Sequence, residues 1–167
     1  LCNHSRNLDD EQLGWIKENG GVVQTVAFNA YVNTEKNNAY NKAATAFMED
    51  IAKEQGFTMM SRADARKLDE KAQEAYYEQF MKIRKLAQDK MAENPDKFDP
   101  VNVSDFVDHI DYMVKKMGID HVGISSDFDG GGGVSGWNDA SETLNVTVEL
   151  VKRGYTEAEI EKLWSGN

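Results

Sequence analysis

His121–Gly133, HVGISSDFDGGGG, is the stretch that decides how this chain is read. Its first five residues, His121–Ser125, have the length and β-branched character of a short buried strand. They run straight into an acidic, glycine-rich loop, Ser125–Gly133. A strand that ends in acids and glycines suits an α/β protein, where residues beyond the C-terminal ends of strands face the ligand crevice. Asp127 at that position can take a proton from a water or hold a substrate ammonium group. The glycines Gly130–Gly133 permit unusual backbone angles and close substrate approach. A pair of turn-forming aspartates capping their own loop accounts for the same residues, and locally the two readings stay open. A calcium loop does not fit: the twelfth position counted from Asp127 is Asn138, where a bidentate Glu is required.

Upstream, Ser104 reads as the cap of a helix with Phe106, Val107, Ile110, Val114 and Met117 on one side and Gly118 as its stop. Val22–Phe28, VVQTVAF, reads as a second strand, buried on both faces. Asp9–Asn19 suits a short helix ended by Gly20-Gly21. Thr34–Gln55 and Ser61–Asn94 carry apolar residues at helical spacing, the second with Ser61 and Asp64 placed like a capping box. Asn94–Pro100 is a loop. The chain closes with helices over Ser141–Arg153 and Thr156–Trp164, hinged at Gly154. Helices alternate with two strands, which is α/β logic with parallel strands joined by helical crossovers. Two strands hide too little surface to stand alone, and a closed eight-stranded barrel takes about 250 residues. The expectation is a piece of a larger α/β unit, with an independent helical domain as the rival.

Composition narrows the partners. The 167 residues are 40% hydrophobic and 29% charged, with a formal net charge of -10. No basic stripe exists to neutralise phosphates, so a nucleic-acid partner is not expected. No apolar run is long enough to cross a bilayer. The one cysteine, Cys2, cannot form an internal disulfide. The chain has no initiator Met, and its first residues have neither the basic start nor the apolar stretch of a signal peptide, so the true N-terminus is expected to lie elsewhere. The three histidines, His4, His109 and His121, form no spaced pair and with Cys2 suggest no tetrahedral metal set. His109 reads as a structural hydrogen-bonding residue on its helix. Arg6, just before a helix start, can grip a carboxylate through two parallel hydrogen bonds; a surface pair with Asp9 or Asp10 is the local alternative.

Four stretches together carry a resemblance: CNHSRNLDD (Cys2–Asp10), GGVVQTVAFNAYV (Gly20–Val32), DHIDYMVKKMGIDHVGISSDFDGGGG (Asp108–Gly133) and RGYTEAEIEKLWSGN (Arg153–Asn167). In order and spacing they resemble the renal (membrane) dipeptidase family, peptidase family M19. The resemblance implies the C-terminal part of a (β/α)8 TIM barrel, with Val22–Phe28 as strand seven and His121–Ser125 as strand eight. Residues 1–167 would then be the C-terminal portion of a single barrel domain, and 33–100 a helical insertion within it. The insertion is open to three roles: lid, dimer contact in a homodimer, or spacer.

The same resemblance implies hydrolysis of dipeptides with two zinc ions. Asp127 corresponds to the acid that contacts the substrate's amino group and moves protons. Arg6 corresponds to the arginine on the substrate's carboxylate, and Tyr31 to a tyrosine near the pocket. Asp129 is assigned to shaping the loop. No metal ligand is expected in this chain: the family's ligands would precede Leu1, and His4 lies too close to Arg6 to be one. The isolated 167 residues are expected to be inactive and poor at binding zinc. Two rivals remain: another barrel metal hydrolase acting on an amide or lactone, and a catalytically dead binding homologue.

Overall fold

The computed structural model describes residues 1–95 and 97–167. They divide into two compact units, one formed by Leu1–Asn37 with Pro100–Asn167 and the other by Asn38–Asp99. The loop expected over Asn94–Pro100 includes Asp96, which lies outside the described residues.

The first unit begins with an irregular segment, then helix α1 (Asp10–Glu18). Asp9 caps it, accepting from the Gln12 N–H while the Gln12 side chain accepts from the Asp9 N–H, so two of the orphan donors of the first turn are satisfied. Strand β1 (Val23–Val26) follows, then the short helix α2 (Asn29–Val32) and the start of α3 (Thr34–Glu54). The chain returns through α6 (Val103–Met117) to strand β2 (Val122–Ser125), α7 (Leu144–Lys152) and α8 (Glu157–Glu161), which runs into a π-helical turn over Lys162–Gly166. β1 and β2 lie side by side and parallel, with Val23 opposite Val122 and Val26 opposite Ser125.

The core of this unit sits between the strand pair and the helices. Phe106, Val107, Ile110, Met113 and Met117 recur along one face of α6 and are buried with Ala27, Val122, Val146 and Leu150. Each of the valine, leucine, isoleucine, methionine and phenylalanine side chains contributes roughly 1.5–3 kcal/mol of burial. Gly118 ends α6 at φ +94°, a region L side chains avoid, which turns the chain into β2. Arg153 ties α7 to α6: its guanidinium donates to Asp108 at 2.6 Å, Asp111 at 2.6 Å and Glu149 at 3.0 Å. Partial burial works against its charge, but those carboxylates outweigh it and push its pKa up.

Several expectations need correcting. β1 is shorter than Val22–Phe28 and is covered on one face only: Thr25 and Ala27 are buried, whereas Gln24 and Val26 are exposed. α6 is capped by Asn102, not Ser104, because the Asn102 Oδ1 accepts from the N–H groups of both Ser104 and Asp105. The Ser104 hydroxyl goes instead to Arg153.

In the second unit the helix expected over Ser61–Asn94 is two helices, α4 (Arg62–Ala65) and α5 (Glu70–Ala92). Asp69 supplies the break: it takes extended backbone angles and its side chain accepts the Ala72 N–H, starting a new helix. This unit has a small core of its own, Ile51 and Ala52 from α3 against Ile83 and Ala87 from α5.

Candidate active site

The acidic loop leaves the C-terminal end of β2. Phe128 turns inward and packs edge-on to buried Trp137, ring centroids 5.3 Å apart. Its neighbours turn outward: Asp127 and Asp129 are exposed, with φ of +58° and +63°. Asp tolerates this left-handed region better than most residues, though not without cost. The glycines are needed for space as much as for angle. A Cβ on Gly130 would sit 2.4 Å from an Asp127 carboxylate oxygen, and one on Gly132 would sit 2.1 Å from the Ser126 carbonyl. The loop folds back on itself, the Asp127 carbonyl accepting from Gly130 and Gly132. Gly133 then donates to the Ala27 carbonyl beyond β1. The rim of the acidic loop is thereby joined to the end of the neighbouring strand.

From that end of β1 the chain enters α2, which carries Tyr31. The Tyr31 ring stacks on Phe28 at 4.3 Å, and the Phe28 ring in turn lies 3.4 Å from where a Cβ on Gly131 would be. The other side of Tyr31 meets the N-terminal segment: the Arg6 guanidinium lies 5.6 Å from its ring centroid and the His4 ring 4.6 Å. Arg6, Tyr31 and the Asp127 loop are thus brought to one end of the strand pair, the end where both strands finish. Arg6 and Tyr31 also line a cavity of about 280 Å³ together with Asn7, Thr25 and His109; Asp127 is not among its lining residues.

The local pairs weighed for Arg6 do not form, because Asp9 caps α1 and Asp10 accepts from Tyr112 and Lys116. Among the described residues neither the Arg6 guanidinium nor the Asp127 carboxylate has an ion pair or side-chain hydrogen bond. A cation and an anion at the same end of the strand pair, neither with an ion-pair partner among the described residues, can receive the two charged ends of a zwitterion.

A metal does not fit the described residues. They contain no group of three or more His, Cys, Asp or Glu that could hold one. The histidines are engaged elsewhere. His4 accepts the Arg6 N–H at 3.2 Å through Nδ1, His109 donates from Nε2 to the Val32 carbonyl at 2.8 Å, and His121 donates from Nδ1 to the Gly21 carbonyl at 2.8 Å. Burial holds the His109 pKa below the ordinary imidazole value, the hydrogen bond to Val32 opposing this only in part. No helix among the described residues is long and apolar enough to cross a membrane.

Sequence reasoning missed two residues of this assembly. Phe28 forms the floor between Tyr31 and the glycine loop, and Asn7 donates to both the Cys2 and Tyr31 carbonyls. The aromatic placed just after a strand could have pointed to the first. The partner of Asn7 lies far along the chain and leaves no local trace.

Comparison with known proteins gives a consistent set. A family model described as membrane dipeptidase (peptidase family M19) matches residues 1–167. Dipeptidase ataJ of Aspergillus terreus is 47% identical over 58 residues, 34% of this chain and 14% of that protein. Dipeptidase aclJ of Aspergillus oryzae is 25% identical over 168 residues, 100% of this chain and 25% of that protein. The crystal structure of the probable dipeptidase PvdM from Pseudomonas aeruginosa matches with a TM-score of 0.61 and 36% identity, covering 99% of this chain and 40% of that one. The chain spans 25% or less of the length of these fungal relatives.

Proposed function

This chain belongs to the membrane dipeptidase family, peptidase family M19, and on that premise we propose that it carries the substrate-binding and proton-transfer part of a dipeptide hydrolase. The observation that carries the proposal is a pair of charges, Arg6 and Asp127, without ion-pair partners among the described residues, at the end of the strand pair where both strands finish.

Arg6 holds the dipeptide's terminal carboxylate. A guanidinium presents two parallel N–H groups to the two carboxylate oxygens, and its place over the Tyr31 ring limits how far it can swing. Asp127 sits by the free amino group and serves as acid and base. It takes a proton from the attacking water as the water oxygen bonds to the peptide carbon. It returns that proton to the amide nitrogen as the C–N bond breaks, so the products are two amino acids. Gripping both ends makes the site selective for length: in a longer peptide one of the two charges falls in the wrong place.

The family is generally metal dependent. We assign the metal to two zinc ions, with ligands outside residues 1–167. The fold of the whole would be the (β/α)8 barrel, β1 and β2 being its seventh and eighth strands and the helical unit Asn38–Asp99 an insertion after the seventh. Two features favour more strands beyond β1. Residues Val23, Gln24, Thr25 and Val26 all line the cavity, and among the described residues the buried Thr25 hydroxyl has no hydrogen-bond partner. An orphaned buried hydroxyl costs about 1–3 kcal/mol and calls for a neighbour.

The test is a substrate panel on the metal-loaded full-length protein. A free dipeptide should be cleaved efficiently, and the same dipeptide should be a poor substrate when N-acetylated or when extended by one residue. Equal turnover of the N-acetylated form would remove Asp127 from the amino group, and equal turnover of the tripeptide would remove the two-ended grip.

A further inference from the structure

We infer that Asn7 is a positioning residue that sets the geometry of the Arg6 grip, an inference that rests on Arg6 holding the substrate carboxylate. Arg6 sits in an irregular segment ahead of α1 that has no helix or strand to stiffen it. Its own backbone is held by bonds within the segment itself: His4 N–H to the Cys2 carbonyl, Asn7 N–H to the His4 carbonyl, and Arg6 N–H to His4 Nδ1. A two-pronged grip on a carboxylate tolerates displacement of only about 0.5 Å, so something must fix this segment against the rest of the site.

The Asn7 side chain does so with both of its donors. Its Nδ2 donates to the Cys2 carbonyl at 3.0 Å, closing the segment on itself, and to the Tyr31 carbonyl at 2.8 Å, tying it to α2. The next carbonyl along, Val32, accepts from His109 Nε2 at 2.8 Å. The backbone at Tyr31 and Val32 is therefore bracketed between Asn7 and α6, and the Tyr31 ring stays facing Arg6 and His4.

The chemistry of the position is narrow. Aspartate has the same shape but no donor, and would set a carboxylate against two carbonyl oxygens. Serine has one donor where two are used, and glutamine is longer by a methylene. Asn7 is half-buried, so the carbonyls it satisfies would not be fully recovered by water on its removal.

The experiment compares two substrates in the metal-loaded full-length protein, a free dipeptide and the same dipeptide amidated at its C-terminus, which offers Arg6 no carboxylate. Asn7→Ala is expected to raise KM for the free dipeptide about tenfold, with kcat nearly retained and KM for the amide little changed. If the amide is turned over too slowly, its inhibition constant replaces KM. A loss of general folding integrity would weaken both substrates alike, so the split between them is the signature of positioning. Arg6→Ala serves as the reference and should discriminate in the same direction, more strongly.

If Arg6→Ala discriminates while Asn7→Ala affects both substrates equally, or neither, the Asn7 role is overturned and the Arg6 assignment stands. If Arg6→Ala does not discriminate, the carboxylate assignment fails and takes this inference with it. Should Asn7→Ala not fold, Asn7→Ser keeps one donor and is expected to give a smaller shift of the same kind; a folded serine variant with unchanged KM for the free dipeptide overturns the proposal.

Discussion

The two units of this chain differ in how far along the sequence their ion pairs reach. On the helical unit Asn38–Asp99 the described residues form local ion pairs, among them Lys67 with Asp64, Lys82 with Glu78, and Lys85 with Asp89, each three or four residues apart on an exposed surface. Such pairs stabilise a helix slightly and ask nothing of the tertiary structure. In the first unit several ion pairs join residues far apart in the chain, beside local ones such as Arg153 with Glu149. Arg153 is locked to acids on α6, and Lys116 to Asp10, while among the described residues Arg6 and Asp127 have no ion-pair partner. The cores differ in the same sense. α6 buries six of its 15 residues, α5 only four of its 23. The lesson is that a surface rich in charge says little about function. A charge left unsatisfied beside a well-packed core says more, because the fold then supports a group that the fold itself does not use.

The largest effect should come from the unpartnered acid. Asp127→Ala in the full-length protein should lower kcat by about 10²–10⁴-fold, the usual worth of acid–base catalysis, with metal content unchanged. Steady-state kinetics with metal analysis checks this, and near-normal turnover would return Asp127 to the role of a loop-capping residue.

The contrast between cores gives the next effect. Phe106 is fully buried in the first unit and packs on Trp137 at 5.3 Å, so Phe106→Ala should cost about 3–5 kcal/mol and take activity with it. Ile83→Ala, in the small core of the helical unit, should also destabilise, by about 2–5 kcal/mol, but should leave the chemistry of the first unit intact in whatever fraction stays folded. Denaturant melts read beside kcat separate the two. Equal loss of specific activity from both would mean that the units are not independent in the way their cores suggest.

His109 should make stability depend on pH. Burial lowers its folded pKa below the unfolded value near 6.5, so the unfolded chain binds a proton that the folded chain refuses. Its contribution is present above about 6.5 and is lost as pH falls from there toward the lowered folded value. A stability-versus-pH series should show this slope, and His109→Gln should flatten it. The smallest effect belongs to the helical surface: Glu78→Gln, which breaks an exposed pair with Lys82, should leave both the melting midpoint and turnover unmoved. A clear loss there would mean that this face has a partner.

Much of the arrangement could be read in the residues alone, where the signal is local. The parallel strands show in VVQTVAF and HVGIS, and α6 in its apolar spacing and its stop at Gly118. The failures arise where two local signals compete or where the deciding contact is distant. Ser104 and Asn102 are both good caps, and the choice falls to Asn102 because its side chain reaches two N–H groups while Ser104 is drawn to Arg153. Asp69 breaks a helix that the apolar spacing alone would carry through. In β1 the β-branched run hides the fact that Gln24 and Val26 share a face that these residues leave open. Within the site, Arg6, Tyr31 and Asp127 could be named through resemblance. The contacts that gather their segments at one end of the strand pair, Phe28 against the glycine loop and Asn7 to the Tyr31 carbonyl, join residues 24 or more apart, as Asn7 and Tyr31 are.

The central claim is that one zwitterion spans Arg6 and Asp127. A crystal structure of the metal-loaded full-length protein with a non-hydrolysable dipeptide analogue tests it directly. The analogue's carboxylate should make a two-bond contact with Arg6, and its ammonium group should lie beside Asp127. An analogue bound in the reverse direction, or at a site that touches neither side chain, would contradict it.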